Sequence, residues 1–229
     1  MMATTTLERP ATTRDNAPAP SGTPQKRLTF AEYMKIERDS SIKHNFIDGV
    51  MEPVWPTTNE KGEPMAGATT AHNTICGNLI ASLHIALRGS GCRVLTSDQK
   101  VFIAGKYGYY PDVTVVCGTP EIAFGEALQN PLLIVEVLSP STQDKDFGTK
   151  FRDYRAIATL RHYILVAQFT TNVEHWQCDE NNRWSLNREH KLLEETLEFV
   201  LTATSVKVPI TDIYEHIDFD ETEEMREGA

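Results

Sequence analysis

Two short apolar segments rich in β-branched residues each carry one acidic residue, and this pattern limits the folds open to the chain. Asp112 lies within 110–117 and Glu136 within 131–138. Runs of Val, Ile and Leu of this length are typical of buried strands. A buried carboxylate without a partner is strongly disfavoured. Two acids on consecutive strands can be stabilised by sharing a divalent cation, and hard oxygen ligands suit Mg²⁺ or Mn²⁺.

Periodicity and capping signals predict one α/β domain with a mixed sheet flanked by helices. Thr29 and Glu32 form a capping-box pattern, so a short helix should begin there. Further helices are predicted over 71–87 and over 143–157, the latter capped by Thr142. Strands are predicted in two pieces over 45–51 and then over 92–103, 110–117, 131–138, 163–168, 172–177, 183–187 and 197–200.

The two ends differ in composition from the middle of the chain. Residues 1–27 are rich in Pro, Thr and Ala, so a disordered N-terminal tail is expected. The predicted domain covers 28–217, and 218–229 are expected to form an acidic, solvated C-terminal tail. Residues 52–68 contain several Pro and Gly residues and are expected to form a long loop.

The sequence indicates a cytoplasmic protein with no membrane partner. No apolar run approaches the roughly 20 residues that span a bilayer, and the N-terminus lacks the apolar region of a secretory signal. The four cysteines form no C-x-x-C pair and are interpreted as small buried hydrophobes in a reducing compartment. They are Cys76, Cys92, Cys117 and Cys178.

The formal net charge of −10, taken alone, argues against a nucleic-acid partner. From Asp212 onward, however, the chain has eight acids and one base, which leaves a net charge of only −3 for the first 211 residues. A nearly neutral body can still present a basic face to DNA, although the high isoelectric point of a dedicated DNA-binding domain is absent.

If the strands 110–117 and 131–138 are neighbours, Asp112 and Glu136 can meet at one edge of the sheet. Asp146, Lys150 and Tyr154 follow at i, i+4 and i+8, so they should share one helical face. A lysine directed at a carboxylate-bound metal could hold and help to deprotonate a water, or offset charge developing on a phosphate.

Several of these residues also have a purely structural interpretation. The two strand acids could form an ion network with Arg152 or Arg155. Lys150 could be a solvated helix charge, Asp146 could favour the helix dipole, and Tyr154 could be a packing residue. A carboxylate-pair hydrolase that acts on sugars without a metal is a further alternative.

An ordered block of motifs runs from Pro111-Asp112-Val113 through Val135-Glu136-Val137-Leu138-Ser139-Pro140-Ser141-Thr142 to Tyr163-Ile164-Leu165-Val166. Phe46-Ile47-Asp48-Gly49 and the helix opened by His72 fit the same pattern upstream. This block resembles the Uma-type restriction-endonuclease family of the PD-(D/E)XK nuclease superfamily. The resemblance spans about 28–215.

The resemblance implies a restriction-endonuclease-like core in which Asp112 and Glu136 bind Mg²⁺ or Mn²⁺, assisted by the backbone carbonyl of Val137. The superfamily usually has a lysine two residues after the glutamate, where this chain has Leu138. The resemblance therefore assigns the role of this catalytic lysine to Lys150 on the following helix.

Other positions are expected to support the site or to contact DNA. The family commonly has a glutamate where this chain has Asn45, which offers an uncharged oxygen ligand. Further second-shell or DNA-contacting candidates are His72, Asp146 and Tyr154.

The expected function is that of a metal-dependent DNA endonuclease that hydrolyses phosphodiester bonds with metal-activated water. The first alternative is a catalytically lapsed nuclease fold that binds DNA or protein. A homodimer would suit the cleavage of both strands.

Overall fold

The computed structural model describes residues 27–55, 68–139 and 145–219, with the backbone alone for Lys145 and Phe147. The α-helices of this part are α1 (Phe30–Arg38), α2 (Thr70–Ala86), α3 (Phe151–Tyr154) and α4 (Ile210–Ile213). A π-helical turn, Lys145–Lys150, leads directly into α3. The strands of this part are β1 (His44–Ile47), β2 (Val50–Pro53), β3 (Cys92–Thr96), β4 (Val101–Ile103), β5 (Tyr107–Tyr109), β6 (Val113–Cys117), β7 (Ile122–Ala123), β8 (Ala127–Leu128), β9 (Leu133–Leu138), β10 (His162–Ala167), β11 (Val173–Cys178), β12 (Trp184–His190), β13 (Thr196–Leu201) and β14 (Thr204–Pro209).

The predicted N-terminal tail, most of the long loop, Thr142 and the chain after Phe219 lie outside the described residues. The division into tail, domain and tail stays a prediction. Phe219, which that division assigns to the acidic tail, packs its ring against Tyr214, with 5.3 Å between the ring centroids.

The strands form two six-stranded sheets and a separate hairpin, and the α/β fold class with mixed sheets is confirmed. The first sheet has the order β2-β1-β5-β4-β8-β7, and the second has the order β12-β11-β10-β9-β6-β3. In the second sheet β9 and β10 are parallel, whereas the other neighbours are antiparallel. β13 and β14 form the hairpin.

The second sheet, called the central sheet below, has an apolar core on each face. Odd-numbered residues of β6 and β9, such as Val113 and Val135, pack under α2 together with the hairpin and α4. On the opposite face, Ile134 of β9 and Tyr163 of β10 pack against α3. Because side chains alternate along a strand, Glu136 belongs to the face that α3 covers.

Local signals predicted several elements correctly. Thr29 and Glu32 form the capping box at the start of α1. Asp48 and Gly49 both have positive φ, as a two-residue hairpin turn between β1 and β2 requires. The second helix is confirmed as α2. The expected neighbours 110–117 and 131–138 are confirmed as the antiparallel pair β6 and β9.

Several parts of the secondary-structure prediction were wrong, and the short strands β5, β7 and β8 were not predicted. Instead of one α-helix over 143–157, the described chain has the π-helical turn Lys145–Lys150 and the single α-helical turn of α3. A π-helix bonds residue i to i+5, so its side chains follow a different spacing from the one that periodicity assumes. The strand β14 was missed, although its alternating Val206 and Val208 are buried against the central sheet.

The interpretation of all four cysteines as unpaired was also wrong. Cys92 on β3 and Cys117 on β6 lie directly opposite each other and form a disulfide, whereas Cys76 and Cys178 are free. Cross-strand neighbours bring their Cβ atoms close together, and this proximity depends on strand register rather than on local sequence. No helix of the described chain is long and apolar enough to cross a membrane.

We expect reduction of this disulfide to lower the free energy of unfolding by about 3 kcal/mol, because it closes a loop with a sequence separation of 25 residues. Chemical denaturation with and without reductant measures the effect. The double variant Cys92→Ala/Cys117→Ala serves as the control and should not respond to reductant. If the oxidised, denatured protein titrates as four free thiols instead of two, the pairing is wrong.

Candidate active site

Asp112 and Glu136 meet at the end of the β6–β9 pair. Val113 of β6 lies opposite Val135 of β9, so Asp112, one residue before β6, comes beside the end of β9 that carries Glu136 and Val137. Asp112 precedes β6 rather than lying within it, and its Oδ2 accepts a hydrogen bond of 2.7 Å from the amide of Val137. This bond fixes the Asp112 carboxylate against β9.

Glu136 is 2 % exposed, and its charged partner is Lys150. Nζ of Lys150 lies 3.2 Å from Oε1 of Glu136 and 2.6 Å from Oδ1 of Asp146. The π-helical turn carries both Asp146 and Lys150, so it delivers an acid and a base together to the carboxylate on β9. The structure thus brings Lys150 to Glu136, and a catalytic role for Lys150 stays a prediction.

The electrostatics of this cluster follow from its burial and its charge count. Burial raises the pKa of Glu136 well above its usual range, and Asp146 and Asp112 add to the shift while Lys150 opposes it. Burial lowers the pKa of Lys150, but Glu136, Asp146 and Asp112 outweigh that effect and hold the pKa above its usual value. The ammonium lies closer to Asp146 than to Glu136, so Glu136 is the less compensated acid.

Two tyrosines hold the cluster in place. The Tyr154 hydroxyl donates a hydrogen bond of 2.9 Å to Oε1 of Glu136, so this residue does more than pack. Burial and the nearby Glu136 raise the pKa of Tyr154, which keeps its proton available for donation. The Tyr163 hydroxyl donates to the backbone carbonyl of Asp146 at 2.8 Å. Nothing in the local sequence distinguished Tyr163 from an ordinary strand residue.

The alternative ion network with arginines was wrong. Arg152 pairs with Asp153 at 3.1 Å and is largely exposed. The Arg155 guanidinium lies over the ring of Phe151 at 5.2 Å. Neither arginine is the partner that compensates the strand acids.

His72 approaches the site from the start of α2. Thr69 caps this helix by accepting a hydrogen bond from the His72 amide. Nε2 of His72 lies 3.4 Å from Oδ2 of Asp112, and its ring makes an edge contact with Trp55. One turn further on, Sγ of Cys76 lies 3.6 Å from Nδ1 of the same ring. Sequence analysis missed Cys76 near the site, although its i, i+4 spacing from His72 was a readable signal.

Of the remaining candidates, Val137 alone has a described contact with the carboxylates, through its amide. Asn45 lies on β1 of the first sheet opposite Glu52, and its buried Oδ1 has no hydrogen-bond partner among the described residues. Val137 contributes its amide to Asp112, and a role for its carbonyl stays a prediction. Leu138 packs with the apolar residues on the α3 side and offers no charge.

The donor set fits a hard divalent cation. The carboxylates of Glu136 and Asp146 contact the Lys150 ammonium, and the buried carboxylate of Asp112 lies nearby, so three acids share one base. Burial is the main cause of the raised pKa of Glu136, and the neighbouring acids Asp146 and Asp112 add to it. Oxygen ligands of this kind suit Mg²⁺ and Mn²⁺.

Comparison with known proteins identifies the family. Residues 30–206 match the model of the Uma2 family, which is described as "Putative restriction endonuclease". The chain belongs to the Uma2 family. The expected membership of a restriction-endonuclease family is therefore confirmed.

Two proteins of Synechocystis sp. resemble this Uma2 chain. The uncharacterized protein sll1609 is 35% identical over 164 residues, which cover 70% of this chain and 86% of the relative. The uncharacterized protein slr1290 is 30% identical over 162 residues, with coverages of 70% and 80%.

A solved structure shares the fold. The crystal structure of a putative nuclease belonging to DUF820 from Anabaena variabilis superposes with a TM-score of 0.61 and 14% sequence identity. The match covers 82% of this chain and 97% of the other. At this identity the likeness extends to the architecture, and it supports the restriction-endonuclease-like fold.

We expect Tyr154→Phe to lower the free energy of unfolding by about 1–2 kcal/mol, because a buried carboxylate loses a hydrogen-bond donor while the ring packing is kept. Chemical denaturation measures the change. Tyr107→Phe removes a hydroxyl outside this cluster and should change stability by less than about 0.5 kcal/mol. Equal losses in the two variants would show that the bond to Glu136 contributes nothing specific.

Proposed function

We propose that this Uma2 protein is a Mg²⁺- or Mn²⁺-dependent DNA endonuclease that hydrolyses phosphodiester bonds. The observation that supports this most strongly is the buried pair of acids with a lysine on one of them. The Asp112 carboxylate accepts a hydrogen bond of 2.7 Å from the amide of Val137, the residue next to Glu136, and Nζ of Lys150 lies 3.2 Å from Glu136. Asp112 and Glu136 would hold the cation, with the Val137 carbonyl as an additional oxygen ligand.

When bound, such a cation supplies Lewis-acid stabilisation of phosphate charge and makes a water acidic enough to serve as a nucleophile. The chain supplies the positioning. Tyr154 orients the Glu136 carboxylate by hydrogen bonding, and the Val137 amide orients Asp112. Lys150, held by Asp146, would donate a hydrogen bond to the attacking water or to a phosphate oxygen and would offset its negative charge.

A nuclease assay on the purified full chain tests this proposal. Plasmid DNA, linear duplex and single-stranded DNA are incubated with Mg²⁺, with Mn²⁺ or with EDTA. We expect cleavage that requires the metal and that is absent from a Glu136→Gln sample prepared in parallel, which controls for contaminating nucleases. Cleavage that persists in EDTA would favour metal-independent hydrolysis instead.

A second candidate function is a DNA- or protein-binding module with the same fold. The observation that favours it is the engagement of Lys150 by both Asp146 and Glu136, which leaves its ammonium committed to protein acids. Binding of duplex DNA without cleavage under either metal would select this function. Asn45→Glu then tests whether a further carboxylate restores activity.

The proposal also includes a cytoplasmic location and a homodimer, and both follow from DNA as the substrate. A chain that cuts DNA would act in the cytoplasm, and two copies related by a twofold axis could address both strands of a duplex. Light scattering of the protein with and without a short DNA duplex tests the homodimer.

A further inference from the structure

We propose that His72, Cys76 and Asp112 form a binding site for a borderline transition-metal ion such as Zn²⁺ or Co²⁺, beside the hard-cation site. Each residue presents one ligand atom, and these atoms all lie within 4.8 Å of one another. His72 and Asp112 are 4 % and 9 % exposed, whereas Cys76 is half-buried, which leaves an approach for an ion.

Helix geometry prepares two of the three ligands. His72 and Cys76 are spaced i, i+4 on α2, so their side chains lie on one face, one above the other. Sγ of Cys76 lies 3.6 Å from Nδ1 of His72. A Zn–S bond of about 2.3 Å and a Zn–N bond of about 2.0–2.1 Å at a tetrahedral angle separate sulfur and nitrogen by about 3.5–3.6 Å. The pair therefore already has the separation of two ligands on one tetrahedral ion.

The Cys76 thiol determines which class of metal ion the site prefers. Mg²⁺ and Mn²⁺ prefer oxygen ligands, whereas a thiolate and an imidazole select Zn²⁺ and chemically similar ions. On binding, the Cys76 thiol releases its proton to solvent and the sulfur forms the bond to the metal. His72 binds an ion through one ring nitrogen, and Nδ1 faces Cys76 whereas Nε2 faces Asp112 at 3.4 Å. A rotation of the His72 ring or of the Asp112 side chain is therefore needed for Asp112 to become the third protein ligand, and the fourth position is left for water.

Asp112 belongs to both sites, which gives the transition metal an effect on activity. A carboxylate that ligates Zn²⁺ has less charge to offer a second dication, and two dications held this close repel one another. Zn²⁺ should therefore weaken Mg²⁺ binding and inhibit cleavage. This consequence rests on the proposed nuclease function, whereas the binding of the transition metal does not.

Titration of the metal-free full chain with Co²⁺, followed by absorption spectroscopy, tests the site directly. We expect a sulfur-to-cobalt charge-transfer band that saturates at one equivalent and disappears when Zn²⁺ is added. Cys76→Ala should abolish the band and weaken Co²⁺ binding by at least about 10²-fold. Cys178→Ala removes the other free thiol and is the matched control, which should keep the band.

A wild-type chain without the band, or a Cys76→Ala variant that keeps it, would overturn the site whatever the nuclease assay shows. If Cys178→Ala alone loses the band, the ligand is a different thiol and the proposal fails. In the cleavage assay, Zn²⁺ added to saturating Mg²⁺ should inhibit the wild type and leave Cys76→Ala active. Equal inhibition of both would overturn the proposed competition through Asp112.

Discussion

Glu136→Gln is expected to remove Mg²⁺-dependent cleavage while the protein stays folded. Glutamine keeps the shape of the side chain and an oxygen that can accept the Tyr154 hydrogen bond. It removes the negative charge that a hard cation requires. Burial raises the pKa of Glu136, so a neutral amide costs less to bury at this position than the carboxylate does. We expect calorimetry to show Mg²⁺ affinity reduced by at least about 10²-fold.

Asp112→Asn should also lower the Mg²⁺ affinity and remove Mg²⁺-dependent cleavage. Asparagine can still accept the hydrogen bond from the Val137 amide, so the end of β6 should stay in place. Glu198→Gln is the matched control, because Glu198 pairs with Lys207 at the exposed surface of the hairpin. It should bind Mg²⁺ and cleave DNA like the wild type.

Two results would contradict the assignment of the carboxylates. Undiminished Mg²⁺ binding in both variants would mean that the metal is held elsewhere. Unfolding of both variants, seen by circular dichroism, would mean that the acids serve the stability of the sheet.

Lys150→Met is expected to separate catalysis from metal binding. The substitution removes an ammonium that lies between Glu136 and Asp146, so metal-free stability should fall by about 3 kcal/mol. Mg²⁺ loses a competing cation and should bind at least as tightly as in the wild type. The cleavage rate at saturating Mg²⁺ should nevertheless fall by about 10²-fold or more, because the positioned donor is gone.

Calorimetry should therefore distinguish the two residues, because Glu136→Gln lowers the Mg²⁺ affinity whereas Lys150→Met does not lower it. Lys150→Arg should not restore the rate, because a planar guanidinium cannot replace a compact ammonium in a buried position. Lys207→Met removes an exposed lysine and should be neutral. If Lys150→Met cleaves at the wild-type rate, the lysine has a structural role alone.

The local sequence carried most of the information on the secondary elements. Thr29 and Glu32 specify the start of α1 through their reciprocal hydrogen bonds, and apolar spacing specifies α2. The apolar runs around Asp112 and Glu136 indicated neighbouring buried strands, and a lone acid in such a run was itself the signal for a functional site. Family resemblance added Lys150, because Leu138 excluded the usual position.

The tertiary structure decided what depends on register and on contacts between distant segments. The β6–β9 pairing brings Asp112 to the Val137 amide beside Glu136, and the same central sheet pairs Cys92 with Cys117. Asp146 and Lys150 lie on a π-helical turn, whereas the periodicity of the sequence predicted an α-helix there. Cys76 comes near a second candidate metal ligand, Asp112, only because the start of α2 lies against Asp112.

The sequence by itself therefore determined the elements, the fold family and the acids, because propensity, capping and periodicity act within a few residues. Only the tertiary structure decided which side chains meet. Strand register and helix docking are selected by the burial of apolar surface across the whole domain, and that selection combines residues that no local pattern connects. The contact of Lys150 with both Glu136 and Asp146 is the product of that packing.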